Sequence, residues 1–359
     1  MPQERQTERV NRHWIAAAIV PALLLGLAAC TTEPTPAATS PAPAASETFA
    51  ADPEPTPLGS RVPADCDALF ASDAVSGGTA AAVTRDDVFF DATLQQAGYL
   101  VCEYDGAIGS VDATVTVLVA VDQPPTALDD EVASAAANGL PTGIVGPASW
   151  SNCGVGDDRP TCRTQLMAGR YAIEVIVNYR EAVAAELLPA VTPLAVDLSE
   201  LASTWPDAVE PWQPEADALT WAHDCEGAVR AQQDVVRDAA PFALDDVVTA
   251  GGGDGAWTVY RAQEATTLTY CSWYSTDGAI DLRILPGAAW LVDIGADLPG
   301  TPTDLDGALA AGLATPNANV ATLTALIDGS LVEVSVTRGS GPSAEQVARD
   351  VIAALVEAF

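Results

Sequence analysis

Few residues in this 359-residue chain are spaced for chemistry. A serine hydrolase needs a nucleophile, an imidazole base and an orienting acid. The chain has two histidines, and His223 is the one outside the amino-terminal segment. Asp224 stands beside it, yet no Gly-x-Ser-x-Gly turn occurs, and Gly339-Ser340-Gly341 reads as a loop between strand and helix. Paired carboxylates serve glycosidases, but 49 acidic residues guarantee chance neighbours, so composition singles out no pair. Asp304-x-Asp306-Gly307 is a fragment of a calcium loop. Extended to twelve positions, it places Pro302 and Leu313 where the first and last ligands belong, so no metal site is expected. Gly251 to Gly255 lacks the lysine of a phosphate loop. Aromatic side chains offer the better binding candidates. Trp273 and Tyr274 are adjacent on an expected strand, so one faces inward and the other outward. Trp150 lies beside a short cysteine-bounded loop. No catalytic residue and no cofactor is assigned.

The cysteines carry the firmest chemical signal. Arg5, Arg9 and Arg12 precede an uncharged run from Trp14 to Ala29, which ends in Leu27-Ala28-Ala29-Cys30. Basic start, short apolar stretch and small residues form a signal peptide, shorter than the roughly 20 apolar residues of a spanning helix. The final four residues resemble the bacterial lipobox, which implies cleavage before Cys30 and a diacylglyceryl group on its sulfur. Two acyl chains suffice for stable anchoring. The expected location is therefore the cell membrane, lipid-anchored at its extracellular face. From Thr31 to Leu58, 22 of 28 residues are Pro, Ala, Ser or Thr, seven of them Pro. Such a stretch has little to bury against its ordering entropy and reads as a disordered tether.

Charge excludes one class of partner. The chain has no lysine and a net charge of −34. Losing the signal removes Glu4, Glu8 and three arginines, which leaves 47 acidic and 12 basic residues from totals of 49 and 15. Such a chain repels phosphate backbones, so nucleic acid is not an expected partner. Its partners are expected to be the membrane, through the lipid on Cys30, and a small ligand or envelope protein of unspecified identity.

Six further cysteines, Cys66, Cys102, Cys153, Cys162, Cys225 and Cys271, allow fifteen pairings. An even number in an exported chain favours disulfides, and no Cys-x-x-Cys supports zinc. An internal repeat selects among the pairings. Asp65-Cys66-Asp67 matches Asp224-Cys225-Glu226 at an offset of 159, and Ala172-Ile173-Glu174-Val175-Ile176-Val177 matches Leu331-Val332-Glu333-Val334-Ser335-Val336 at the same offset. Between them, Tyr99-x-x-Cys102-x-Tyr104 resembles Tyr270-Cys271-x-Trp273. Cys66–Cys102 and Cys225–Cys271 become equivalent pairs, and Cys153–Cys162 closes its own short loop.

The elements that must hold these residues follow from periodicity. Val115, Val117, Val119 and Val121 alternate as on a half-buried strand. Gly98 to Tyr104 precedes that strand, with a turn expected at Asp105-Gly106. Arg163 to Met167 and Tyr171 to Val177 form a hairpin. The second half repeats the pattern with Leu268 to Tyr274, Ile280 to Ile284, Val320 to Ile327 and Leu331 to Val336, the last two joined at Asp328-Gly329. Helices are expected at Cys66, at Asp217 to Asp238, near Leu194, Leu198 and Leu201, and at the carboxyl end. There Ser343 and Gln346 form a capping box ahead of the stripe Val347, Val351, Leu355 and Val356. The fold class is therefore α+β: two tandem similar domains, each an antiparallel sheet with helices packed on one face, after the tether. The expected boundaries are 1–29 signal, 30–59 tether, 60–204 first domain, 205–215 linker and 216–359 second domain. Three prolines keep the linker from being helical, and its Trp205 and Trp212 are expected to pack on a domain.

A lipobox, a Thr/Pro/Ala tether and a Cys…Cys-x-Trp/Tyr α+β domain resemble the actinobacterial lipoproteins of unknown function. They are loosely similar to the extracellular sensor domain of mycobacterial serine/threonine kinases. The resemblance implies extracellular binding or sensing, and no catalytic residue follows from it. The expected function is thus non-enzymatic binding of a ligand or protein partner in the cell envelope. The alternatives are a carboxylate-based cell-wall hydrolase or a structural component of an envelope complex.

Overall fold

A computed structural model describes residues 59–83, 87–155, 159–181, 184–208, 212–214, 235–236, 238–240, 247–249, 257–339 and 341–358. The segments expected to be signal peptide and tether, with Cys30, lie outside these residues, as do His223, Asp224, Cys225 and Gly251 to Gly255. So does nearly all of the helix expected at Asp217 to Asp238.

The first half opens with the short helix α1 (Cys66–Leu69), whose amino end is capped by Asp65, and the edge strand β1 (Val75–Ala82). Helix α2 (Val88–Ala97) follows, then β2 (Leu100–Ile108) and β3 (Val111–Ala120). Helix α3 (Asp129–Ala137) leads to β4 (Ser149–Val155), β5 (Pro160–Ala168) and β6 (Tyr171–Tyr179), and α4 (Ala184–Ser203) closes the half. The second half comprises β7 (Val247–Thr249), α5 (Trp257–Ala265), β8 (Thr269–Ser275), β9 (Gly278–Leu285), α6 (Trp290–Asp293), β10 (Thr301–Pro302), β11 (Ala308–Asn317), β12 (Val320–Ile327), β13 (Ser330–Arg338) and α7 (Ala344–Ala358).

The sheets state the repeat in three dimensions. The first runs β1-β2-β3-β6-β5-β4, and the second runs β7-β8-β9-β13-β12-β11 with β10 added at its edge. Neighbouring strands are antiparallel throughout. Strand for strand the orders agree, so the chain is an α+β protein of two similar domains. Even the end of the second helix recurs: Gly98 (φ 73°) and Thr267 (φ 54°) take the same left-handed position after α2 and α5.

One face of each sheet is covered by its own closing helix. On α4, Leu187, Val191, Leu194 and Leu198 are buried, and the Tyr179 hydroxyl donates to the Leu187 carbonyl at 2.9 Å. On α7, Val347, Val351 and Leu355 are buried. Ser343 caps α7 by accepting from the Gln346 amide at 3.2 Å, while the Gln346 side chain turns forward to Asp350. Only half of the expected capping box forms. The first hairpin turn also differs: β2 continues through Asp105-Gly106 to Ile108, because nine consecutive residues pair with β3. At Asp328-Gly329 the turn stands as expected, with φ of 45° and 73°, the two positive values a type I′ turn requires.

Disulfides join Cys66 to Cys102 and Cys153 to Cys162. Cys271 is disulfide-bonded, and Cys225, its expected partner, lies outside the described residues. Between the halves, Trp205 packs edge-on against Tyr171 at 4.8 Å, and the Trp212 ring fills the space beside Gly287. The linker is thus held at both ends. Among the described residues no helix is long and apolar enough to cross a membrane.

The disulfides differ in the chain they close, 36 residues for Cys66–Cys102 and 9 for Cys153–Cys162. In the chain-entropy model these correspond to about 4 and about 3 kcal/mol. Urea denaturation of the paired Cys→Ser variants is expected to rank them in that order.

Candidate functional site

The two sheets meet through helices exchanged between the halves. Helix α2 belongs to the first half, but its Phe89 and Ala92 sit in a cluster with Leu285, Ala288, Trp290, Leu291, Leu326 and Leu331 of the second. Helix α5 belongs to the second half, but Ala262 lies in the first core, with Trp257, Val259 and Ala265 packed on it. Each sheet therefore has its free face covered by the other half.

A buried glutamate anchors each exchange. Glu174 on β6 is fully buried. It accepts from Arg163, from Gln165 Nε2 at 3.1 Å, and from both the amide and the hydroxyl of Thr258 at 3.0 Å. Thr258 opens α5. The residue before that helix is Ala256, which has no side chain to cap it, so a carboxylate from the other half does so. The position suits both partners, since a helix amino terminus presents unpaired N–H groups and favours negative charge.

Glu333 on β13 is the equivalent, 159 residues on, and its surroundings solve the same problem differently. Helix α2 already has its own cap: Asp87 accepts from the Phe89 and Phe90 amides at 3.0 and 3.3 Å. A second carboxylate there requires a cation between. Arg283 supplies it, donating through Nε to Glu333 at 2.8 Å and through Nη1 to Asp87 at 3.0 Å. Its guanidinium lies 5.1 Å over the Phe89 ring. The residue paired with Glu174 from β3 is Leu118, and the one paired with Glu333 from β9 is Arg283. Burial pushes the Glu333 carboxyl above its ordinary value against the pull of Arg283. Burial alone would lower the Arg283 guanidinium, but Glu333 and Asp87 outweigh it and hold it above the usual value.

Further polar bonds cross the same junction. Gln96 Nε2 donates to the Pro286 carbonyl at 2.8 Å, Arg261 Nε to Gln123 at 3.0 Å, and Trp257 Nε1 to Glu131 at 2.7 Å. Gln123 passes on to the Tyr99 hydroxyl at 2.8 Å, whose ionisation burial suppresses. Each buried acid is thus occupied by an arginine and by its neighbours, and neither has the free carboxyl that acid–base hydrolysis requires. Among the described residues no cluster of three or more His, Cys, Asp or Glu is arranged to hold a metal ion.

Two concavities follow from the exchange. Where α2, α5 and β9 converge, a cavity of about 110 Å³ remains, walled by Phe89, Thr93, Val259, Leu268 and Arg283. On the outside, a groove of about 510 Å³ runs between α2, with Val88, Asp91 and Ala92, and the second-half segment from Leu291 to Gly300.

The sequence candidates do not converge on either. Trp273 is fully buried in the second core, so it holds the sheet together and touches no ligand. Strand alternation turns it inward, and it turns Tyr274 outward to 49% exposure. Trp150 lines a separate shallow depression of about 370 Å³ with Asp130 and Glu131, its Nε1 donating to Gln165 at 2.9 Å. Cys30 lies outside the described residues. Glu174, Glu333 and Arg283 were not singled out from sequence, although a glutamate flanked by apolar residues in two strands at one offset was a visible signal.

Glu174→Ala would remove the buried acceptor shared by Arg163, Gln165 and the Thr258 amide and hydroxyl. The expected loss is about 3–5 kcal/mol, read by chemical denaturation. For Glu333 the sign is reversed. Its folded pKa lies above the unfolded one, so this group costs stability as pH rises from the ordinary 4.5 through the raised value. Glu333→Gln keeps the hydrogen bonding and leaves Asp87 to balance Arg283. Its stability is therefore expected to fall less than the parent's over that pH window, in denaturation curves measured at successive pH values.

No protein-family model matches the chain, and no curated protein is significantly similar to it. Among solved structures, it aligns with the di-domain ARO/CYC StfQ from the steffimycin biosynthetic pathway at 10% identity. That alignment covers 81% of this chain and 86% of that one, with a TM-score of 0.17, too low to bear on fold or function.

Proposed function

We propose that this chain is a non-enzymatic binding lipoprotein, held at the extracellular face of the cell membrane by lipid on Cys30, whose folded part docks an envelope protein. The observation that carries the docking reading is the groove beside α2. At about 510 Å³ it falls within the range of ordinary binding clefts, whereas the cavity between the halves, about 110 Å³, falls short of the roughly 300 Å³ at which such clefts begin. The groove exists only in the fused protein, because each half contributes one wall. Its lining combines the apolar side chains of Val88, Ala92, Leu291 and Leu298 with the polar ones of Asp91, Gln95 and Asp297. Val292 and Ile294 stand beside and within it at 47% and 48% exposure. Apolar side chains interspersed with two carboxylates in one groove, on a chain of net charge −34, fit a partner segment that presents apolar side chains between basic ones.

The anchor and the groove are tested separately. Cys30→Ser is expected to move the protein from the membrane fraction to the medium, with the diacylglyceryl mass lost from the parent's amino-terminal peptide. A cytosolic or unlipidated parent would defeat the anchor reading. For the groove, a photo-crosslinking residue at position 294 is compared in cells with one at 309, since Leu309 is 67% exposed but outside the groove. The expected result is one defined adduct at 294 that disappears in Asp91→Lys/Asp297→Lys and is absent at 309. Identical adducts at both positions, or none at either, would overturn the docking reading.

A further inference from the structure

The cavity at the junction carries a second inference, independent of the groove. It is the place where the repeat is broken. In the first sheet the apolar Leu118 lies beside Glu174; in the second, Arg283 takes that position beside Glu333 and reaches across to Asp87. A cavity remains next to that arginine. Its walls are aromatic and aliphatic: Phe89 and Phe90 from α2, Val259 and Tyr260 from α5, and Leu268 beyond. Tyr260, 37% exposed, marks the way in.

One polar group in the wall has no use within the protein. Thr93 is 2% exposed, and its hydroxyl has no hydrogen-bond partner among the described residues. A threonine inside a helix ordinarily donates back to the carbonyl one turn earlier, as Thr266 does to Ala262 at 2.8 Å. Buried hydroxyls are rarely left without a partner. Thr93 corresponds in the repeat to Ala262, so the hydroxyl is peculiar to the half in which the cavity occurs. The charges nearby do not call for an ion: Arg283 already meets Asp87 and Glu333.

Size and chemistry then define the occupant. An enclosed apolar cavity of about 150 Å³ accepts benzene, and this one, at about 110 Å³, is smaller but open beside Tyr260. We propose that it binds a small uncharged molecule made of a single flat ring with one hydroxyl, the ring between Phe89, Phe90 and Leu268 and the hydroxyl on Thr93 Oγ1. Phenol is the simplest probe of that class, and toluene matches its shape without the hydroxyl.

The test is calorimetric titration of the mature chain, made soluble by Cys30→Ser, with phenol and with toluene. Phenol is expected to bind about tenfold more tightly than toluene. In Thr93→Val, which keeps the shape and removes the hydroxyl, the two probes are expected to bind equally. Thr93→Ser, which keeps the hydroxyl, is expected to retain the preference. Far-ultraviolet circular dichroism confirms that each variant is folded. Binding of neither probe up to its solubility limit would mean that the cavity holds water only and would overturn the proposal. A phenol preference unchanged in Thr93→Val would overturn the role of the hydroxyl. Neither outcome affects the groove, which is read by crosslinking.

Discussion

The structure depends on two carboxylates placed in the middle of two sheets. Glu174 and Glu333 occupy equivalent positions, 159 residues apart, each between buried apolar neighbours on a largely buried strand. A charge so placed costs several kcal/mol unless it is paired and hydrogen-bonded. Its own sheet offers only part of what it needs. Glu174 completes its shell with the first turn of α5, and Glu333 reaches Asp87 at the start of α2 through Arg283. In both cases the remaining partner belongs to the other half. The halves are therefore required by each other's electrostatics, as well as by the apolar faces that α2 and α5 cover.

The exchange explains why the duplication does not behave as two separate beads. A sheet protein with one helix-covered face ordinarily leaves the other face to solvent, and its strands alternate accordingly. Here β6 and β13 are buried nearly throughout, because the second face receives a helix from the neighbouring half. Divergence then had room to act at the junction. Asp87 caps α2, the residue preceding α5 in sequence is an alanine, and Arg283 stands where the first half keeps Leu118. The same register supports one direct contact and one bridged contact, and the bridged side retains a cavity.

Much of the architecture was legible in the sequence, and what was missed has a common cause. The central hairpins and closing helices have a single buried face, so periods of 2 and 3.6 reveal them. Helix α2 buries residues against two different cores, Phe89 and Ala92 facing the second half and Leu94 and Ala97 the first, while α5 packs its few apolar residues on the core of the other half. No single apolar stripe results, and neither helix was foreseen. The turn at Asp105-Gly106 was misplaced because Asp-Gly is a strong turn signal, yet Gly106 lies against Gly78 and Tyr104 in a crowded stretch of the sheet where a side chain has no room. Adjacent aromatics at 273 and 274 had to point opposite ways, and only burial could decide that the tryptophan was the inner one.

The arginines bear on why a chain so acidic contains no lysine. All seven ion pairs among the described residues use arginine. Arg283 must reach two carboxylates from different halves and stack on Phe89 with the same group. A planar guanidinium with five donors can do this, and a compact ammonium cannot. Arg163 likewise meets a fully buried carboxylate from the side of the sheet that remains partly open. Where cations are few and two of them, Arg163 and Arg283, are committed to buried acids, the outer surface is left with the negative excess. The acidic composition is thus tied to the packing, and the carboxylates in the groove beside α2 follow from it.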